Sequence, residues 1–407
     1  MGNCNNKGGT KYFPDDYKTD FKGKVIVIGA GCSGMTAGYV LDKMGIEYEI
    51  LEASGTYGGR IKHTTDFTDF PIDLGAEWIH AGISSRPPLL NDLLENQNND
   101  PKFPTILYKI PTAAKYVEGK LEILGCSKSL IDSAGDLKYT DSSWMNVMTE
   151  RVYPTVKDHI RYNSVVTEIN YSEGENNRVV VKTNTEGDVF EADKVLVTVP
   201  IKILQSNMIT FVPPLPQNKV DAINSEVMPP GFKIFMEFKE NFYPDVVLCG
   251  TFWELVKGMG HKECTYYNAA LGKDTDANIL ALLCLAEDTK KYYPESDEKM
   301  DKKTKDAKIL ENVLAELDEI FEGKATQFYV KSVVQDWTEE PYIQGTYSGA
   351  RASLNLKFSS LICPLSNKVY FAGEAMNPPA KTSFNRIAVH AAVESAYLAV
   401  KDMLDHP

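Results

Sequence analysis

Lys24-Val25-Ile26-Val27-Ile28-Gly29-Ala30-Gly31-Cys32-Ser33-Gly34 decides the fold: a short apolar run meets a turn with glycines at fixed spacing. Met35, Thr36, Ala37, Val40 and Leu41 then recur as one face of a helix, and a second apolar run, Tyr48-Glu49-Ile50-Leu51, ends on the acid Glu52. Strand, glycine turn, helix, strand and acid in this order are the parts of a dinucleotide-binding βαβ unit. Gly29 permits the tight turn, Gly31 lets backbone N–H groups approach a pyrophosphate, and Gly34 lets the helix lie close on the sheet. Ala30 and Ser33 complete the turn, at a helix N-terminus whose free N–H groups favour the diphosphate charge. Glu52 can accept hydrogen bonds from ribose hydroxyls. Glycine spacing alone is a weak signal; with both strands, helix and acid in place, it predicts an adenine dinucleotide.

The 407 residues are enough for two domains with separate cores. A net charge of −13 speaks against nucleic acid, which needs a basic face. Seven cysteines, odd in number and never spaced as C-x-x-C, predict reduced thiols in an intracellular, cytoplasmic protein. Cys249, His261 and Cys264 imitate a metal site but lack a fourth ligand, so no metal is expected. No apolar stretch is long enough to span a bilayer, and no secretory leader is expected. Gly2 and Cys4 invite acylation, but Asn6 stands where the acyl-transfer pattern wants Ser or Thr. A polar tail over 1–20 is therefore expected in place of a membrane tether.

Downstream, the pattern predicts a helix over Ser143–Val156, strands over Ser164–Asn170, Arg178–Thr183 and Val195–Pro200, and a helix over Lys219–Glu226. Lys233–Phe238 alternates as a strand, 275–285 is another, and Ile309, Val313, Leu317 and Phe321 mark an amphipathic helix over Asp301–Phe321. A strand from Val369 ends at Gly373-Glu374, and Ile387–Leu404 is the last helix. Residues 89–145 show no sustained period and are expected to be irregular. With its first strands at the start and its last helix at the end, the nucleotide fold is discontinuous. That layout is commoner in flavoproteins than in nicotinamide dehydrogenases.

Further segments resemble one family. Glu52-Ala53-Ser54-Gly55-Thr56-Tyr57-Gly58-Gly59-Arg60 is similar to the E-A-x-x-R-x-G-G-R segment of flavin-containing amine oxidases. Ile72-Asp73-Leu74-Gly75-Ala76-Glu77-Trp78-Ile79-His80 resembles their next segment, Pro213–Lys219 with Gly231–Ile234 a central one, and Tyr370–Glu374 the C-terminal F-A/T-G-E. The resemblance implies an α/β, two-domain fold: a discontinuous Rossmann-like FAD-binding domain over 21–88, 146–205 and 362–407, and a substrate domain with a mixed β-sheet and flanking helices over 89–145 and 206–361.

It also implies roles. Arg60, after Ala53 and Gly59, would neutralise the FAD pyrophosphate. Gly75, Ala76, Glu77 and Trp78 would lie at the isoalloxazine ring, Val166 at the adenine, and Gly373, Glu374 and Val389 at the ribityl or pyrophosphate end. Lys233 would hold a water against flavin N5; Trp337 falls on a family position, and Tyr347 would be one wall of an aromatic cage around the substrate amine. Glu77 and His80 would line a tunnel for a polycation, as in polyamine oxidases.

The chain departs from the family at Thr56, where an arginine is usual, and at Thr346, where monoamine oxidases carry the cysteine that binds flavin covalently. FAD is therefore expected to be non-covalent. Ala388 takes the place of the second cage wall, and 89–145 stands where relatives keep a longer helical lid. The expected chemistry is hydride transfer from an amine to flavin N5, with O2 reduced to H2O2. The alternatives are a flavin-dependent isomerase or desaturase of an apolar substrate, and a flavin-binding protein without turnover.

Overall fold

Residues 24–28 form β1, the centre of a parallel sheet, and the absence of polar alternation in this run has a plain cause: both faces are covered. Val25 and Val27 pack with Met35, Ala37 and Val40 of helix α1 (Cys32–Lys43), whereas Ile26 and Ile28 pack on the opposite side with Val166, Ile169 and Val181. A computed structural model of the chain describes residues 17–80, 102–117, 119–124, 136–172, 177–249, 262–293, 300–348, 358–376 and 388–407. The Gly2/Cys4 motif and His261 lie outside the described residues.

The first sheet has the order β20 (Val369–Phe371), β13 (Lys194–Val197), β1, β2 (Glu47–Leu51), β9 (Ile160–Arg161), and each neighbouring pair is parallel. Its strands come from four separated stretches of chain, so this α/β layer is discontinuous. Helix α9 (Val389–Asp405) packs against α1, with Val393, Ala396 and Val400 in the same core. Helices α2 (Trp144–Arg151) and α3 (Tyr153–Val156) join that side through Trp144, Val147 and Val156. The other side is covered by a four-stranded sheet, β12 (Val189–Ala192), β11 (Val179–Thr183), β10 (Val166–Asn170) and β14 (Thr210–Val212). Short helices α4 (Ile201–Gln205), α5 (Gln217–Ser225) and α8 (Phe358–Ile362) flank it.

The largest sheet has seven strands in the order β19 (Tyr329–Asp336), β15 (Gly231–Phe238), β18 (Asn278–Ala286), β17 (Lys262–Asn268), β16 (Val246–Cys249), β6 (Ala113–Val117), β7 (Lys120–Leu124). It is mixed: β16 and β6 are parallel and the other neighbours antiparallel. Helix α6 (Lys302–Phe321) lies on one face, followed by the short α7 (Lys324–Phe328). The Asp301 carboxylate caps α6 by accepting from the Thr304 N–H at 3.0 Å. Along β15, Phe232, Ile234, Met236 and Phe238 meet Ile309, Val313 and Leu317 of α6. The odd-numbered Lys233 and Phe235 therefore face the other way. Two small pairs complete the fold: β3 (His63–Thr64) with β4 (Ile72–Asp73), and β5 (Thr105–Leu107) with β8 (Leu137–Tyr139).

The expectation for 89–145 needs correction. Its described parts supply β5 to β8, and β6 and β7 extend the large sheet. The alternation Lys120-Leu121-Glu122-Ile123-Leu124 and the glycine at 119, with φ +75°, are strand and turn signals that a search for helical period passes over.

Candidate active site

One cavity of about 850 Å³ is lined both by the β1–α1 turn and by Lys233, Trp78 and Tyr347. At the turn, Gly29 has φ +101°, and its N–H reaches the Leu51 carbonyl at 2.8 Å. A Cβ on Gly34 would fall 1.8 Å from the Gly29 oxygen, so only glycine lets α1 sit this close. A Cβ on Gly31 would meet nothing within 4 Å, because this residue borders the open cavity. Among the described residues, the buried Ser33 hydroxyl has no hydrogen-bond partner, and α1 has no side-chain cap and no acid in its first turn. These features fit a pyrophosphate at the helix N-terminus.

Of the turn residues named from sequence, Ala30 and Gly34 do not line the cavity. The Ala30 N–H is committed to Glu52 Oε2 at 2.6 Å. Glu52 Oε1 accepts from the Ser54 N–H at 2.8 Å and its hydroxyl at 2.6 Å. Glu52 and Ala53 do line the cavity, and Glu52 also ties the turn to the 52–54 segment. Gly58 and Gly59, at φ +103° and +58°, bend the chain so that Arg60 enters the site. Arg60 Nη1 donates to the Thr346 carbonyl at 2.9 Å and to Glu374 Oε1 at 3.1 Å. That leaves the Nε and Nη2 donors for an anion. Glu374 is nearly buried and also accepts from the Ser348 N–H at 2.6 Å. Gly373, Val166, and Ala388 and Val389 at the start of α9 complete this wall.

The inner end is built on Glu77. It is 6% exposed, and Lys138 reaches Oε1 at 2.7 Å while Lys233 reaches Oε2 at 3.0 Å. The Tyr267 hydroxyl also donates to Oε2, at 2.6 Å. Burial works to raise the Glu77 carboxyl, but the two lysines outweigh it and hold the group down at about 2. A carboxylate so compensated has little field left for a polycation. Glu77 lines the cavity, as a tunnel role requires, but with its charge shared between two lysines. Asp73 nearby is raised well above the carboxylate range, first by burial and then by the Glu77 charge. Burial and then Lys138 press Lys273 down to about 8.

Lys233 donates to the Asp73 carbonyl at 3.2 Å, the Gly75 carbonyl at 2.8 Å and Glu77 at 3.0 Å. An ammonium has three hydrogens, so this set uses all of them. The expected grip on a water therefore requires one of these bonds to open. The Gly75 and Ala76 N–H groups are likewise taken, by the carbonyls of Lys62 and Arg60 at 3.2 and 3.0 Å. Trp337 is buried, with its indole N–H on the Leu74 carbonyl at 3.0 Å. Half-buried Tyr347 and His80 line the cavity, and His80 Nδ1 lies 3.0 Å from Asp136 Oδ2.

Sequence reasoning missed His63, Asn163, Thr198 and Lys138. The first three line the cavity; His63 Nδ1 sits 2.7 Å from the Ser143 hydroxyl that caps α2. Lys138 stands behind Glu77. Its flanks, Leu137 and Tyr139, gave the same signal as Lys233, a lysine inside an apolar strand.

Comparison with known proteins places the chain. The family model for flavin containing amine oxidoreductases matches residues 94–404, and that for an NAD(P)-binding Rossmann-like domain matches 27–95. The chain belongs to the flavin-containing amine oxidoreductase family. It is accordingly an FAD-dependent oxidoreductase of CH–NH bonds, and the donors described above are consistent with that cofactor. Among its relatives is polyamine oxidase 1 of Zea mays, 25% identical over 86% of this chain and 85% of the relative. Lysine-specific histone demethylase 2 of Homo sapiens is 25% identical over 89% of this chain but only 51% of its own length. A putrescine oxidase variant shares the fold, with a TM-score of 0.71 at 14% identity, covering 95% of this chain and 99% of that one.

Proposed function

We propose that the chain oxidises a polyamine or a related amine at a C–N bond, with O2 reduced to H2O2. One observation carries the reading: Lys233, Trp78 and Tyr347 line the same cavity as the glycine turn that suits a pyrophosphate. Bound FAD supplies the electron acceptor for the amine α-carbon and the route to O2. Gly31, Ser33 and Arg60 would hold its phosphates, with Glu52 near the ribose. Tyr347 gives the substrate an aromatic wall, and His80, held by Asp136, offers a hydrogen-bonding group for a second nitrogen. The amine enters as the neutral base, the form favoured beside two lysines that share one carboxylate. The relatives named as polyamine oxidases support the substrate class. The test is the absorption spectrum of the FAD-loaded protein before and after anaerobic addition of spermine, spermidine, N-acetylated polyamines and simple monoamines. Bleaching by polyamines, with H2O2 released on admitting air, is expected. Flavin that stays oxidised across the panel overturns the reading.

A second reading, an isomerase or desaturase of an apolar substrate, draws on Ala388, which lines the cavity where a second aromatic wall would stand. Absence of H2O2 during conversion of such a substrate separates the two.

A further inference from the structure

We infer that Lys138 is a positioning residue that acts on Lys233 through the Glu77 carboxylate they share. Lys138 sits on β8 and Lys233 on β15, both almost fully buried, and each takes a different oxygen of Glu77. The Lys233 side is saturated, since two backbone carbonyls and Glu77 use its three hydrogens. The Lys138 side is not. Its Nζ lies 2.7 Å from Glu77 Oε1, and no other protein acceptor among the described residues completes its shell. Around it stand the rings of Tyr108 at 5.1 Å, Tyr267 at 5.8 Å and Trp78 at 5.9 Å. Aromatic faces steady a cation but accept no directed hydrogen bond comparable to a carbonyl's. Glu77 is thus the group through which Lys138 makes its strongest contact, and it is also one of the three bonds that fix Lys233.

The electrostatic consequence is definite. Lys138 withdraws part of the Glu77 charge from Lys233, so the Glu77 bond that helps to fix Lys233 is weaker than it would be with that carboxylate to itself. The other titratable groups packed around the pair are Asp73 on β4, Tyr108 after β5, Tyr267 on β17, and Lys273 beyond it, with Asp141 and Asp245 farther out. Burial and the Glu77 charge push the Asp73 carboxyl up, and Glu77 is the carboxylate that both lysines contact. Lys233 lines the cavity and Lys138 does not, so Lys138 acts at second hand.

This inference needs FAD in the cavity but not the amine substrate, so it survives a failed amine panel. The experiment uses the FAD-loaded protein. It measures the midpoint potential of the flavin and the pH profile of O2 reoxidation after dithionite reduction, neither of which requires an amine. Lys138→Met removes a positive charge, so it should lower the potential and move the profile to higher pH by about one unit or more. Glu77→Gln should move both the opposite way, and Lys138→Arg should stay near the parent protein. A residue with only a packing role would loosen the site in both variants and shift them in the same direction. Shifts of one sign in Lys138→Met and Glu77→Gln, or no shift in either, would overturn the inference. If Lys138→Met loses its flavin, Glu77→Gln decides alone: a potential that falls or stays put counts against it.

Discussion

Tyr266 and Tyr267 are neighbours on β17, and each donates its hydroxyl hydrogen to a buried carboxylate 2.6 Å away. They point to opposite faces of the seven-stranded sheet. Behind Tyr266, Glu316 of α6 accepts from a second tyrosine, Tyr292, and pairs with Lys291, whose side chain is 59% exposed. Behind Tyr267, Glu77 faces two lysines that are 2% and 4% exposed. The same donor at the same distance thus serves two different ends. On the α6 face the carboxylate anchors a helix through hydroxyls, with its one cation hydrated. On the cavity face it holds two desolvated cations, an arrangement that does little for stability by itself. Positive charge of that kind suits a site where electrons arrive on a cofactor.

The largest effect is expected from removing the two carboxylates in turn. Glu77→Leu leaves Lys138 and Lys233 buried against apolar atoms and should cost about 3–5 kcal/mol of unfolding free energy, together with flavin turnover. Glu316→Leu strands two hydroxyls and should cost about 1–3 kcal/mol, leaving the flavin spectrum and turnover intact. Denaturant midpoints and turnover of the two FAD-loaded variants measure the contrast. Equal losses of turnover would erase the distinction between the faces.

The next test is acid. The Glu77 carboxyl lies below its usual value of 4.5, at about 2, so its contribution is complete above the usual value and disappears as pH falls through about 2. The shift corresponds to roughly 3 kcal/mol. Asp73 runs the other way. Its folded-state value is raised, so its contribution is lost as pH rises from the ordinary carboxylate range. Glu77→Gln should therefore flatten the loss of stability between about pH 4 and pH 2. An acid limb as steep as that of the parent protein would show that another carboxylate is responsible.

What the sequence could convey follows the same division. β1, its glycine turn and α6 are local: an unbroken apolar run, fixed glycine spacing, a 3.6-residue period and a cap at Asp301 are written into adjacent positions. Lys233 was conspicuous because it interrupts an apolar alternation, and its strand does send it to the cavity. The lysine partners of Glu77 were not legible, because two distant strands, β8 and β15, bring them in and no spacing rule joins them. The β6–β7 hairpin was missed for a different reason: its strands are short and partly exposed and it closes the end of the large sheet, with Ile123 of the edge strand β7 at 71%. Little burial leaves little pattern.

Glu52 sharpens the comparison as a third carboxylate, at the cavity but without a lysine. It accepts from the Ala30 N–H and from Ser54 N–H and hydroxyl, so it works like Glu316 in its bonding and like Glu77 in its location. Glu52→Ala removes charge-assisted bonds worth roughly 1.5–3 kcal/mol, and FAD affinity should fall about ten- to hundredfold. Equilibrium dialysis or flavin fluorescence reads the change. Unaltered affinity would make Glu52 a brace of the turn with no part in cofactor binding.

The smallest expected effect isolates what a site leaves open. Ser33 Oγ is buried at the start of α1 with no partner among the described residues, the reverse of the fully engaged Glu316. A buried hydroxyl without a partner costs folding free energy, so Ser33→Ala should leave the flavin-free protein as stable as before or slightly more so. If the hydroxyl bonds to the cofactor, the same change should weaken FAD binding by about 0.5–1.5 kcal/mol, roughly two- to tenfold in Kd. The two readouts have opposite signs, which general damage to the helix does not produce. Loss of stability without loss of affinity would mean that Ser33 serves the packing of α1, and that the open hydroxyl is no mark of the nucleotide.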